Sequence, residues 1–264
     1  MAPLSVAALR GAVGFLTRFP VGHDESGWRA FAATPATVPL VGYLVGVLAA
    51  LAFLVPAPPT VTAFLYVLAL YAITGINHAD GVADIGDAAV VHGDPDRRLS
   101  VLKDSSVGVG GTLALIGLVA GLVLAGIPLA DAPLLVAVSV VVSAEVGAKL
   151  GTAALVCLGT APHDGLGSQL TGVNGPRSLV APVLVALPVV LLARPPYVAA
   201  MAIFGALTVA LLLRRWSSKA LGGVNGDVLG AATELGRLGG LYAGLLAWTL
   251  TTGRVPEVTA WTLS

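Results

Sequence analysis

Three aspartates, Asp80, Asp84 and Asp87, stand at positions i, i+4 and i+7. On a helix that spacing puts their carboxylates on one face, where like charges repel unless a cation lies among them. Carboxylate oxygens without sulfur ligands suit a hard divalent ion, Mg²⁺ first and Mn²⁺ second. His78 precedes the set and has the chemistry of a ligand, a base or a supporting donor. Gly81 and Gly86 leave backbone room for a ligand to approach. Further on, the chain reads Lys103-Asp104-Ser105-Ser106-Val107-Gly108-Val109-Gly110-Gly111. Lys103 supplies a cation for phosphate, Ser105 and Ser106 supply hydroxyls, and the glycines offer backbone N–H groups at the start of the next helix, where the dipole also favours anions. A metal-holding face followed by an anion cradle fits a substrate carrying a diphosphate. In-line attack of an alcohol on its phosphorus is the economical reaction for these parts.

The elements that must position these groups are apolar. Hydrophobic residues make up 56% of the chain and charged residues 11%, far from the roughly one quarter charged of a soluble domain. The segment 77–108 holds nine charges. At about 2.5–3.5 kcal/mol for each charge at a helix centre, they would cost over ~20 kcal/mol in lipid, so the segment belongs in water or in a polar cavity. Formal net charge is zero, which excludes the broad basic surface that nucleic-acid binding needs. Cys157, the single cysteine, lies in an apolar run and supports neither a disulfide framework nor a sulfur metal site.

Spanning takes roughly 17–25 mostly apolar residues. Candidate segments fall at 36–55, 60–76, 109–128, 133–157, 178–193, 197–213 and 237–252. The expectation is thus an all-α, polytopic membrane helical bundle with about seven transmembrane helices, forming a single domain over 1–264. The segment 178–193 is the weakest span, because Pro182 and Pro188 would kink it. The opening residues, interrupted by Arg10 and Arg18, read as an amphipathic or re-entrant helix kept in the mature protein, not as a signal peptide. Alternating the spans collects residues 1–35, 77–108, 158–177 and 214–236 on one side. With them come Arg10, Arg18, Arg29, Arg97, Arg98, Lys103, Arg177, Arg214, Arg215 and Lys219, whereas the other side has Arg194 and Arg254. The positive-inside rule makes the long loops cytoplasmic and the protein a multi-pass cell-membrane protein. Three distant loops can then build one site.

The run His78-Ala79-Asp80-Gly81-Val82-Ala83-Asp84 with Asp87, followed by Leu102 to Gly111, resembles the signature of the cobalamin synthase family, the adenosylcobinamide-GDP ribazoletransferases. Phe15 to Pro20 is similar to that family's opening, His163 to Gly167 to its Gly-Leu-Gly loop, and Gly222 to Glu234 to its C-terminal GDxxGAxxE element. The resemblance covers most of the chain in the right order. It implies Mg²⁺-dependent attack by a ribose hydroxyl of α-ribazole, or of its 5′-phosphate, on the phosphate attached to adenosylcobinamide, with release of GMP. By motif position, Asp80, Asp84, Asp87 and Asp227 would hold the metal. Asp84, Asp87 and His78 would be catalytic, and Lys103, Asp104, Ser105, Gly108, His163 and Glu234 would meet substrate. The bilayer is the other implied partner; oligomeric state is left open.

Two features depart from the family pattern. Glu145 and Lys149 stand where an Arg-rich helix start is expected, and their i, i+4 spacing suits either a self-neutralised buried pair or a substrate-facing role. The loop 163–177 has Arg177 as its sole basic side chain besides His163. His23 and His92 read as solvated turn residues. Two other functions share parts of the pattern. A CDP-alcohol phosphotransferase has a DGxxAR start, but Asp84 occupies its Arg position; a membrane cation transporter has intramembrane charges, but here the acids gather in a loop.

Overall fold

The computed structural model describes residues 4–22, 24–104 and 106–253, so His23, Ser105 and Arg254 lie outside the described residues. In chain order the helices are α1 (Val6–Leu16), α2 (Glu25–Ala32), α3 (Thr37–Ala50), α4 (Pro59–Thr74), α5 (Asn77–Val90) and α6 (Pro95–Leu102). There follow α7 (Val109–Asp131), α8 (Leu134–Leu158), α9 (Leu166–Thr171), α10 (Val180–Leu192), α11 (Pro196–Ala220) and α12 (Gly226–Thr252). No strand occurs among the described residues. This all-α outcome has a direct cause: in lipid each backbone N–H and C=O must be satisfied within the chain, and a helix does so along its own length.

The bundle is organised round α8, which packs against α3, α11 and α12. Its apolar window is 83% buried, against 28% for α7, so α8 is the axis and α7 a lipid-facing flank. Lipid tails give no hydrophobic drive between helices, and close packing at small residues takes its place. A Cβ on Gly42 of α3 would lie 2.9 Å from the Glu145 carbonyl oxygen, and one on Gly240 of α12 would lie 2.9 Å from the Ala144 Cα.

The expected count of seven spans is not met. Among the described residues four helical stretches are long and apolar enough to cross a bilayer: Thr37–Leu54, Val109–Asp131, Leu134–Leu158 and Pro196–Ala220. The other three expected spans are helical but fall short. α4 has 16 residues and α10 has 13, with Pro188 inside it, while α12 has Asp227, Glu234 and Arg237 along its first half. A fifth crossing arises only if α4 and α5 are joined as one span, and these two meet at a 99° bend.

The aspartate helix is therefore not a straight continuation of α4. α4 ends at Gly75, whose φ of 73° favours glycine. The chain then turns, and α5, which is not itself one of the four spanning stretches, packs against the starts of α12 and α7. The segment after α1 docks on this corner, the Arg18 amide donating to the Ile73 carbonyl at 2.8 Å. α1 itself buries Ala8, Ala12 and Leu16, one helical face, and packs against α2 and α3. Other loops arrive at the same end. Val224 N–H donates to the Thr160 carbonyl at 2.8 Å, and Trp28 Nε1 donates to Gln169 Oε1 at 2.8 Å.

Candidate active site

α5 is wedged between α12 and α7, and glycines set both crossings. A Cβ on Gly81 would sit 2.6 Å from the Asp227 carbonyl oxygen, and one on Gly86 would sit 2.8 Å from that of Gly110. The space expected for a ligand at Gly81 and Gly86 is therefore filled by neighbouring helices. What the first crossing achieves is to bring Asp227 beside Asp80 and Asp84.

The consequence is visible in the acidities. Burial, reinforced by the negative charges of Asp227, Asp80 and Asp87, pushes the Asp84 carboxyl up to about 6. Burial and the neighbouring Asp80 also raise Asp227, while a hydrogen bond of 2.9 Å from Asn225 Nδ2 opposes the rise. Asn225 is fixed for this role because its Oδ1 caps α12, accepting from Val228 N–H at 3.0 Å. Exposed His163 lies near enough to favour the charged form of Asp227 electrostatically. Asp80 is exposed. Among the described residues no three His, Cys, Asp or Glu side chains already form a metal-binding group. An incomplete cage is still compatible with Mg²⁺, which is commonly held by one or two carboxylates together with substrate phosphates. The charge surplus round Asp84 fits a cation.

Asp87 does something else. Its two carboxylate oxygens accept from Gly108 N–H at 2.7 Å and Gly111 N–H at 2.8 Å. The glycine cradle read as an anion site is thus filled by the protein's own carboxylate, which satisfies the free N–H groups at the start of α7 and complements its dipole. Gly108 is thereby removed from the direct phosphate contacts, and Asp87 is first a cap. Lys103 and Asp104 are exposed, and Ser106 donates to Asp104 through its amide at 3.0 Å and its hydroxyl at 2.7 Å. Ser105 lies outside the described residues. His92 is exposed, as a turn residue should be.

His78 is not brought to the carboxylates. At 100° per residue it falls on the opposite side of α5 from Asp80 and Asp87, and its backbone abuts Gly230 of α12. Burial, then the nearby Lys149, holds its imidazole down at about 4, so it is neutral at neutral pH. Its ring lines a small, chiefly apolar cavity of about 40 Å³, and its Nδ1 is closed off from solvent without a partner. A second, polar pocket at the α4–α5 corner shares His78 and includes Thr17, Arg18 and Asn77.

Glu234 is likewise not on the carboxylate face. It is fully buried inside α12 and accepts from Arg237, which also donates to Glu145. Lys149 Nζ donates to Glu145 Oε2 at 3.1 Å, and Tyr71 donates to Glu234 Oε2 at 3.3 Å. Two acids and two bases, all with no exposure, close a neutral cluster between α8 and α12. The Glu145–Lys149 pair is therefore a buried, self-neutralised pair. Arg237 escaped the sequence reading because it resembled a boundary cation; its i, i+3 relation to Glu234 was the available signal.

Comparison with known proteins decides the family. A sequence family described as cobalamin-5-phosphate synthase matches residues 8–246. The chain is 54% identical to an adenosylcobinamide-GDP ribazoletransferase of Halorubrum lacusprofundi, over 92% of this chain and 98% of the relative. The chain belongs to the cobalamin-5-phosphate synthase family. A relative of the same description from Haloquadratum walsbyi is 46% identical over 93% of this chain and 99% of its own length, and one from Sinorhizobium medicae is 35% identical over 89% and 95%. No solved structure matches the chain. Family membership makes this protein a transferase of cobalamin biosynthesis, and the acidic end of the bundle is where its described side chains concentrate unbalanced negative charge.

Proposed function

We propose that the protein transfers the adenosylcobinamide-phosphate group of adenosylcobinamide-GDP to a ribose hydroxyl of α-ribazole, or of its 5′-phosphate, releasing GMP. The observation that carries the reading is the convergence of Asp227 on Asp84 and Asp80 from a distant part of the chain, which raises Asp84 to about 6. Such a surplus of negative charge is costly to keep without a cation. Asp80, Asp84 and Asp227 would hold Mg²⁺ together with diphosphate oxygens. The ion would supply Lewis-acid charge for the leaving phosphate.

The rest is done by the chain. The hydroxyl oxygen forms a bond to the phosphorus esterified to cobinamide, and the bond from that phosphorus to the bridging oxygen breaks. The electron pair leaves with GMP, and the hydroxyl proton passes to a carboxylate of this acidic face. Asp87 holds α7 against α5 and so fixes the face. His163 stands beside Asp227 at the rim. The excess of Lys and Arg on these loops supports a site on the cytoplasmic side of the cell membrane.

The test is GMP release by purified protein in detergent with adenosylcobinamide-GDP and α-ribazole, with and without Mg²⁺. Turnover that requires the metal and falls at least a hundredfold in Asp84→Asn is expected. Full turnover in EDTA, or in Asp84→Asn, would overturn the assignment of the carboxylate face.

A further inference from the structure

The polar pocket at the corner between α4 and α5 has a volume of about 350 Å³, and its other wall is the end of α1 with the segment that follows. Arg18 gives it positive charge, and no carboxylate lines it among the described residues. Arg10 and Arg29 are paired with Asp24 and Glu25, but the Arg18 guanidinium has no partner among the described residues. Its position is nevertheless fixed. The Arg18 amide donates to the Ile73 carbonyl at 2.8 Å, and a Cβ on Gly75 would lie 3.2 Å from the Cγ and Cδ of its stem. The first turn of α5 borders the same space through Asn77 and His78. The opening N–H groups of a helix have no partner within it, and no side chain caps this one. A helix start and a free guanidinium at one pocket favour an anion, and the planar fork of arginine suits phosphate oxygens. The Thr17 and Thr74 hydroxyls are engaged by the Val13 and Leu70 carbonyls, whereas the exposed Asn77 side chain is free.

Asn77 precedes Asp80 by three residues and Asp84 by seven, so it shares their face of α5. The pocket therefore lies at the N-terminal end of the carboxylate face, about 10 Å from Asp84 along the axis at 1.5 Å per residue. The two phosphates of a diphosphate share one bridging oxygen and are too close together to occupy both places. A phosphate on the far end of a ribose from the reacting hydroxyl can. We propose that Arg18, with Asn77 and the first N–H groups of α5, binds the phosphate of a phosphorylated acceptor, which makes Arg18 the residue that sets the preference for α-ribazole 5′-phosphate over α-ribazole. The inference rests on the transfer reading given above and assigns a second phosphate its own subsite, apart from the metal face. This phosphate does not react. It is a handle that aims the ribose hydroxyl along α5 towards Asp84, and Arg18 offsets the repulsion it would otherwise meet from Asp80.

The test compares α-ribazole with α-ribazole 5′-phosphate as acceptors for the full-length protein in detergent, at saturating adenosylcobinamide-GDP and Mg²⁺. Wild type should prefer the phosphorylated acceptor at least tenfold in kcat/KM. Arg18→Met, which keeps the stem over Gly75, should lower that preference at least tenfold through the KM of the phosphorylated acceptor, with kcat changed less than threefold; Arg18→Lys should recover part of it. Asn77→Asp puts a charge that suits a helix start, so it should fold, and it should lower the same preference by repelling the phosphate. Equal losses for both acceptors would make Arg18 structural, and a raised KM for adenosylcobinamide-GDP would give the pocket to the leaving nucleotide; either result, or an unchanged preference, overturns the assignment. An effect confined to phosphatidylglycerol vesicles and absent in detergent would make Arg18 a headgroup contact and overturn it too. By calorimetry without donor, α-ribazole 5′-phosphate should bind at least tenfold tighter than α-ribazole, and Arg18→Met should erase the difference. Turnover without that difference refutes the phosphate subsite and leaves the transfer reading standing. The difference without GMP release refutes the transfer reading and leaves the subsite.

Discussion

Asp84 and Asp87 lie three residues apart on one helix face, yet substitution of each by asparagine should move stability in opposite directions. Asp87→Asn keeps a carbonyl oxygen for one N–H of α7 and turns an amide N–H₂ towards the other. Hydrogen bonds to charged groups contribute about 1.5–3 kcal/mol each, and a negative charge at a helix start about 0.3–1 kcal/mol. Gly108 is exposed and Gly111 buried, so water replaces the first bond and not the second. The net loss is about 2–4 kcal/mol. For Asp84, the rise from the ordinary 3.8 to about 6 corresponds to ~3 kcal/mol of unfavourable charge at 1.36 kcal/mol per pKa unit. Because the side chain is partly wet, screening reduces that to about 1 kcal/mol. At about 2–4 °C per kcal/mol, Asp84→Asn should melt ~2–4 °C above wild type and Asp87→Asn ~4–16 °C below it. The assay is intrinsic-fluorescence melting in detergent at pH 8 with EDTA. The gap should narrow in Mg²⁺, which stabilises wild type through Asp84. An unchanged Tm for Asp87→Asn would remove its capping role, and a lowered Tm for Asp84→Asn would show that the carboxylates are not in repulsion.

The other outcomes follow from the same geometry. Asp84 has a raised pKa in the folded protein, so its favourable contribution is complete below pH 3.8 and lost as pH rises through about 6. Mg²⁺ must displace that proton, and its affinity should climb between about pH 5 and 7 and then level off; calorimetry showing equal affinity at pH 5.5 and 7.5 would count against Asp84 as a ligand. Gly81→Val places side-chain atoms where the Asp227 carbonyl stands at 2.6 Å from the nearest added atom, and should abolish turnover while lowering Tm by several degrees; wild-type activity would show that α5 and α12 need not touch. Arg237→Met leaves two buried carboxylates against one lysine and should cost about 3–5 kcal/mol, seen as loss of the monodisperse peak in size-exclusion chromatography.

Much of the site was legible because its chemistry is carried by residue type and spacing. Asp80, Asp84 and Asp87 announced a helix face, and the resemblance of Gly222 to Glu234 to the family's C-terminal element added Asp227. Less legible was the use each residue finds in three dimensions. Nothing in the order of Asp87 and Gly108 says that a carboxylate will fill the glycine cradle, since that depends on α7 returning against α5. The glycines at 81 and 86 signalled close approach correctly, but not whether a ligand or a helix approaches. Span counting failed for a related reason: a hydropathy window cannot see the corner at Gly75, nor that α12 keeps Glu234 and Arg237 neutral by pairing them within the protein. His78 read as part of the acidic motif because it adjoins it in sequence, whereas helical rotation sends it to the other side.

The neutral cluster between α8 and α12 also bears on how the chain enters the membrane. Each helix brings its own counterion: Lys149 follows Glu145 by one turn, and Arg237 follows Glu234 by slightly less. Each helix therefore carries its charges already paired, which lowers the cost of burying them. Once both are in place, Arg237 reaches across to Glu145 and turns two private pairs into a shared one. That exchange rewards correct docking of the last helix on the central one, and it ties the completion of the acidic site, which needs Asp227 from that helix, to the pairing of charges buried inside the bundle.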